Sequence, residues 1–277
     1  MDSEEKFGGR RQGFPLRGRT VVVTRSRAQA AEITAELEGM GAKVIHCPTI
    51  EFAPPDSWAP LDAAIQRLAE YDWLVFTSAN GVDFFFQRLR DKVSGDVTTL
   101  TRSKICAIGP ATARALETAG KRATVVASDS RAEGALAAII DHLGGDERVR
   151  GLSFLIPRAR VARDYLPDAL RALGAQVDAV ETYQTIKPQI ERDSLTRLFK
   201  DNTIDAITFT SSSTVSNFSA LAGLDDLSAL LAQTIAFCIG PITAETAERH
   251  RIAKIVLPRE YNSSALVDAI VESIGQT

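Results

Sequence analysis

Phe76-Thr77-Ser78-Ala79-Asn80-Gly81 follows the apolar run beginning at Trp73, and Phe209-Thr210-Ser211-Ser212-Ser213-Thr214 follows the one beginning at Ala206. Each is a β-rich run that ends in small hydroxyl residues just before a helical pattern opens. Thr77 and Thr210 stand 133 positions apart, as do Gly41-Ala42 and Gly174-Ala175, while Gly109 and Gly240 stand 131 apart. Val23-Thr24-Arg25 returns in the same way as Leu155, Ile156 and Pro157-Arg158. The chain is a duplication. A period this long exceeds any solenoid unit, so each copy must fold as a globular α/β body, and a ligand is expected between the two.

Working outward from the quoted turns, strand-like runs in the first copy occupy residues 20–24, 43–47, 73–77, 105–108 and 123–127. In the second copy they occupy 153–156, 176–180, 206–210, 235–239 and 254–257. Helical patterns separate them: Ile33, Leu37 and Met40 recur at spacings of four and three before Gly41 ends the helix. Alternating strands and helices, with little amphipathic alternation inside the strands, predict parallel sheets covered on both faces. Five strands per copy predict two flavodoxin-like, doubly wound α/β domains, with ligands bound beyond the carboxyl ends of the strands. Extended, proline-marked connectors follow the second strand of each copy, at residues 47–55 and 181–188. If both cross together, one domain is 19–50 plus 187–277 and the other is 51–186. Tandem domains would bury nearly the same surfaces, so the residues themselves leave this choice open.

Composition narrows the class. The chain has 277 residues, 45% hydrophobic and 24% charged, enough for two cores, and its net charge of −3 excludes strong global attraction to nucleic acid or an anionic membrane. Three cysteines cannot all pair and three histidines lack metal-ligand spacing, which predicts reduced core thiols, a cytoplasmic location and no metal. Residues 1–18 are polar and glycine-rich, without the apolar stretch of a signal peptide, and are read as a flexible tail.

The candidate chemistry lies in loops between strands and helices. A lone Ser or Thr there is usually only a helix cap. Several such residues on one sheet edge, twice over, make two rims of hydroxyl and backbone N–H donors suited to a ligand with many anionic groups. The candidates are Thr77, Ser78 and Ala79, then Thr112 in Gly109-Pro110-Ala111-Thr112, then Ser211, Ser212 and Ser213, then Gly240 and Thr243 in Gly240-Pro241-Ile242-Thr243. Ser128-Asp129-Ser130 and Asn262-Ser263-Ser264 make further polar helix entries. Arg25, Arg158, Arg160 and Arg163 follow the first strand of each copy, where a planar guanidinium would pair with carboxylates. No dinucleotide fingerprint, Walker loop, Ser–His pair or Cys–His pair can be assembled. An enzyme of this kind would work by holding a reactive ligand in one geometry.

The segment from Arg19 to Glu272 resembles the uroporphyrinogen-III synthase family. The resemblance rests on Val22-Val23-Thr24-Arg25, Phe76-Thr77-Ser78, Val180-Glu181-Thr182-Tyr183 with Gln184-Thr185, Phe209-Thr210-Ser211, and Ile239-Gly240-Pro241 with Thr243-Ala244. It implies two α/β domains with a cleft between them and a pair of extended connectors, which favours the exchanged-halves arrangement. The implied reaction takes linear hydroxymethylbilane, removes its hydroxyl as water, inverts ring D through a spiro intermediate and closes uroporphyrinogen III. No metal or organic cofactor is implied. Tyr183 matches the family's connector tyrosine and is the expected catalytic residue, since a phenol, with a reference pKa of about 10, stays protonated and can donate to the leaving hydroxyl. Thr243 matches one of two family threonines, whereas Ile242 replaces the other. Ala159 and Ala162 stand where glycines are common, and Arg163 is carried over as a substrate ligand. The expected partners are the small-molecule substrate and, transiently, hydroxymethylbilane synthase, with the chain acting as a monomer away from nucleic acid and membrane. The alternatives are a non-catalytic tetrapyrrole-binding regulatory protein and a two-lobed binder of another small anion.

Overall fold

A computed structural model describes residues 13–92, 103–129, 131–201 and 203–276. The first half of the chain carries β1 (Thr20–Val23), α1 (Arg27–Gly39), β2 (Lys43–His46), β3 (Glu51–Ala53), α2 (Ala59–Gln66), β4 (Trp73–Phe76), α3 (Ala79–Lys92), β5 (Lys104–Ile108), α4 (Gly109–Thr118), β6 (Val125–Ala127) and α5 (Ala132–Leu143). The second half carries β7 (Ser153–Ala159), α6 (Tyr165–Ala172), β8 (Gln176–Ile186), α7 (Arg192–Asp201), β9 (Ala206–Phe209), α8 (Ser212–Ala222), β10 (Ile235–Cys238), α9 (Pro241–Arg249), β11 (Ile255–Val256) and α10 (Ser263–Ile274).

These elements form two compact units, Met1–Glu51 with Lys187–Thr277, and Phe52–Ile186. In the first, the parallel sheet runs β2-β1-β9-β10-β11; in the second, β8-β7-β4-β5-β6 is parallel and β3 lies at the edge beside β8. Both are doubly wound sheets of flavodoxin-like order. Setting β3 aside, each takes two parallel strands from one copy of the repeat and three from the other, so the halves are exchanged.

Strand alternation sorts the core. In the first unit Val21 and Val23 face α1 and α10 through Ile33, Leu37, Leu266 and Ile270, while Val22 faces the side holding Val215 and Phe218. In the second, Leu74 and Phe76 pack with Phe85, Phe86 and Leu89, and Trp73 and Val75 pack with Ile139, Phe154 and Leu170. Phe76 meets Phe85 edge-on at 5.3 Å, and truncating such a fully buried ring costs about 3–5 kcal/mol. That cluster fixes the start of α3, where the Thr77-Ser78 turn sits.

β7 runs three residues past the expected Ile156, to Ala159, and three further differences bear on the site. The tail reading runs to Gly18, and its residues 1–12, like Ser130 of the Ser128-Asp129-Ser130 entry, lie outside the described residues. From Gly13 onward the chain is anchored: Leu16 is fully buried, its N–H donates to Met40 O at 2.9 Å, and Gln276 N–H donates to Pro15 O at 2.8 Å. Gly41, at φ +90, brings that turn against Phe14. The second difference lies in β8, which continues six residues beyond Val180 to Ile186 because Glu181 and Tyr183 still pair with β7 across a bulge. Third, the extended connector between Pro48 and Pro54 holds a short strand of its own, β3, which pairs with the edge of a sheet.

Candidate active site

Ser78 ends the turn after β4, and its Oγ accepts a hydrogen bond from Gly81 N–H at 3.0 Å, capping α3. The same oxygen lies 3.0 Å from the phenol oxygen of Tyr183, which comes from β8. The fit at Gly81 is close: a Cβ there would stand 3.2 Å from Ser78 Oγ and 3.4 Å from Pro157 O. The Tyr183 ring stacks on Phe84 at 5.7 Å and meets Phe52 edge-on at 5.7 Å, leaving the residue 7% exposed. A phenol is thus held at its oxygen by a hydroxyl and around its ring by two aromatic walls. Such a group can donate a proton to a departing oxygen while the serine O–H bonds the resulting phenolate.

The carboxyl ends of β4, β5 and β7 surround a cavity of about 170 Å³ lined by Thr77, Ile108, Ile156, Arg131, Arg158 and Arg163 among others. The floor is apolar and the rim carries three guanidiniums. Each has a carboxylate partner: Arg158 with Asp164 at 2.6 Å, Arg163 with Glu133 at 3.2 Å, and Arg131 with Asp129 at 2.8 Å. Arg158 also donates to Ala162 O at 2.6 Å, closing the loop after β7. Arg131 is absent from the sequence candidates although the neighbouring Ser128-Asp129-Ser130 is among them. Its position before α5 has no counterpart arginine in the second copy to mark it.

In the other unit the arrangement differs. Arg25 follows β1, is half-buried, and Nη1 donates to Ser263 Oγ at 3.4 Å, while burial pulls the guanidinium pKa down against the opposing pull of Glu32. Ser211 forms a capping box with Thr214, and its Oγ lies 2.9 Å from Ser213 Oγ. Ser212 donates to Ile242 O at 3.0 Å, tying the turn after β9 to the turn after β10. Tyr261 lies over Gly240, whose added Cβ would sit 3.6 Å from the ring.

The paired turns after β5 and β10 are not equivalent. Gly109 has φ +79, a left-handed conformation that favours glycine, whereas Gly240 is extended. Thr112 and Thr243 are 3% and 5% exposed, so these threonines face inward in the first turns of α4 and α9 rather than toward solvent. Ala79 occupies the first position of α3. The second unit therefore brings Ser78 to Tyr183, and Thr77 to Arg158 and Arg163. The first unit links Ser211 to Ser213 and brings Ser212 to the turn that holds Gly240 and Thr243.

Comparison with known proteins bears on what such a fold and site belong to. The family model described as uroporphyrinogen-III synthase HemD matches residues 31–268. The uroporphyrinogen-III synthase of Synechococcus elongatus is 35% identical over 270 residues, covering 95% of this chain and 98% of the relative. The chain belongs to the uroporphyrinogen-III synthase family. The uroporphyrinogen-III synthase of Chlorobaculum parvum is 27% identical over 92% of this chain and 99% of its own. Among solved structures, uroporphyrinogen-III synthetase from Helicobacter pylori matches with a TM-score of 0.56 and 15% identity, over 92% of this chain and 99% of that one. A mutant uroporphyrinogen III synthase from Thermus thermophilus matches with a TM-score of 0.53 and 18% identity, over 92% and 98%. At those identities the structures establish the two-domain fold of the uroporphyrinogen-III synthase family alone.

Proposed function

We propose that this chain is a cyclising lyase that converts hydroxymethylbilane to uroporphyrinogen III, with loss of water and inversion of the last pyrrole ring. The family match and the full-length likeness to uroporphyrinogen-III synthases support the activity. The observation that carries the chemistry is the 3.0 Å pairing of Tyr183 and Ser78 at the sheet edge that also holds the arginine-rimmed cavity. In this reading Tyr183 donates its phenol proton to the terminal hydroxyl as the C–O bond breaks, and water departs. The Ser78 O–H bonds the phenol oxygen as negative charge develops there. The azafulvenium cation left behind is intrinsically reactive, so the protein's task is to hold the chain where the substituted carbon of the last ring attacks to give the spiro intermediate, and the proton released as the macrocycle closes restores the phenol.

In one unit Arg158, Arg163 and Arg131, with Thr77 and the first-turn N–H at Ala79, offer partners for the substrate's carboxylates; in the other, Arg25 and the Ser212-Ser213 turn offer donors of the same kind. Competition with Asp164, Glu133 and Asp129 keeps these arginines paired when no substrate is bound. The same reading has the substrate arrive from hydroxymethylbilane synthase and the chain act as a monomer in the cytosol, where the buried free thiols of Cys47, Cys106 and Cys238 stay reduced. No helix among the described residues is long and apolar enough to cross a membrane.

The test is to supply hydroxymethylbilane, oxidise the products and separate the isomers. The expected outcome is predominant type III. A type III to type I ratio no higher than in a protein-free control would overturn the reading.

A further inference from the structure

Tyr183 sits at an irregularity. The β7–β8 ladder pairs Arg158 with Glu181 and then Ala159 with Tyr183, so Thr182 is an extra residue on β8. A bulge disrupts the ladder locally, and slipping back to regular pairing would place Thr182 opposite Ala159 and turn the Tyr183 ring to the other face of the sheet. Something must hold the bulged register.

Arg160, the residue just beyond β7, grips both sides of the bulge. Its backbone N–H donates to Tyr183 O at 2.9 Å, resuming the ladder. Its Nε donates to Glu181 Oε1 at 2.9 Å and its Nη1 to Gln184 Oε1 at 2.7 Å, so one guanidinium holds residues before and after Tyr183. Nη2 lies 2.6 Å from Asp56 Oδ2 on the segment that follows β3. Gln184 closes the ring, its Nε2 donating to Asp56 Oδ1 at 3.0 Å and to Pro54 O at 2.9 Å. Only one orientation of the Gln184 amide satisfies all of these partners, with oxygen toward the arginine and nitrogen toward the carboxylate and carbonyl. These hydrogen bonds hold the Asp56 carboxyl below its ordinary pKa. A single exposed ion pair stabilises a fold very little, but a planar fork with three partners specifies a geometry.

We infer that Arg160 is a positioning residue for Tyr183: with Gln184 and Asp56 it locks the bulged end of β8 so that the phenol stays on Ser78. This rests on the reading of Tyr183 as the proton donor, and the experiment separates the two. In the first arm, 3-fluorotyrosine is placed at position 183 and its fluorine resonance is recorded in the full chain. Arg160→Met and Gln184→Ala each shift or broaden that resonance, whereas Arg197→Met, on the exposed face of α7, leaves it unchanged. In the second arm, Arg160→Met and Gln184→Ala lower kcat with little change in KM; misplacing a reacting group by about 1 Å costs up to roughly 100-fold. If Arg160→Met does not fold, Gln184→Ala carries both arms, since it leaves Arg160 with Glu181 and Asp56. An unchanged fluorine resonance in both variants, or a loss confined to KM, overturns the inference. Absence of synthase turnover in the unsubstituted protein would instead overturn the proposed function, while the fluorine arm still decides whether Arg160 positions the ring.

Discussion

Ser78 and Ser211 occupy the same place in a repeated Phe-Thr-Ser turn, yet they have different partners. Ser211 closes on its own helix through the capping box with Thr214, and Ser212 beside it bonds Ile242 O. Ser78 caps α3 as well but shares its oxygen with Tyr183. The residue 133 positions before Tyr183 is Ile50, and Thr49 before it matches Thr182. Both threonines are fully buried, so the duplication kept the scaffold residue in both connectors. Only one connector carries a phenol. Under the proposed function, matching turns serve stability in one unit and chemistry in the other, and the difference comes from a residue distant in sequence.

Substitutions at these positions can break or sharpen that comparison. Tyr183→Phe is expected to have the largest effect, a fall in kcat of about 100-fold or more, the scale of a lost general acid, with an unchanged melting curve; steady-state assay and thermal unfolding check both. Ser78→Ala and Ser211→Ala should next separate the two turns. Each loses a cap, at a cost of about 1 kcal/mol read from denaturant unfolding. Ser78→Ala should in addition lower kcat, whereas any effect of Ser211→Ala on turnover should fall on KM. A smaller loss of kcat than with Ser78→Ala is expected for Gly81→Ala, whose Cβ would press on Ser78 Oγ from 3.2 Å and approach Tyr183 Cε1 to 3.9 Å.

The smallest effect concerns the cores of both units. Burial pushes the thiols of Cys47, Cys106 and Cys238 up to about 12, so at about pH 8 they remain thiols, and the thiolate is the reactive form. Iodoacetamide should leave the native protein unmodified by mass and label it only after unfolding. Rapid labelling of a native cysteine would show that one of the units opens readily.

Much of this was legible in the sequence. The repeat located ten of the eleven strands among the described residues, within a residue or two at most boundaries, because buried parallel strands are short apolar runs set off by glycine and polar turns. β3 escaped because three residues between prolines carry too little pattern. The end of β8 escaped because a bulge is written in pairing register, which no single strand displays. Site residues were harder. Tyr183 and Ser78 were each named, but their bond joins residues 105 positions apart and follows from topology. Arg160 could be seen as a basic residue after a strand, whereas its ring with Gln184 and Asp56 depends on the edge position of β3. Thr112 and Thr243 lie in the turns after β5 and β10, and helix phase buries both side chains.

The most direct test of the account is whether Ser78 and Tyr183 act as one unit. Turnover of hydroxymethylbilane by Ser78→Ala, Tyr183→Phe and the double variant should be measured together. The account predicts that the double variant is no slower than Tyr183→Phe alone, since the serine acts through the phenol. Losses that simply multiply would contradict it and place Ser78 and Tyr183 in separate roles.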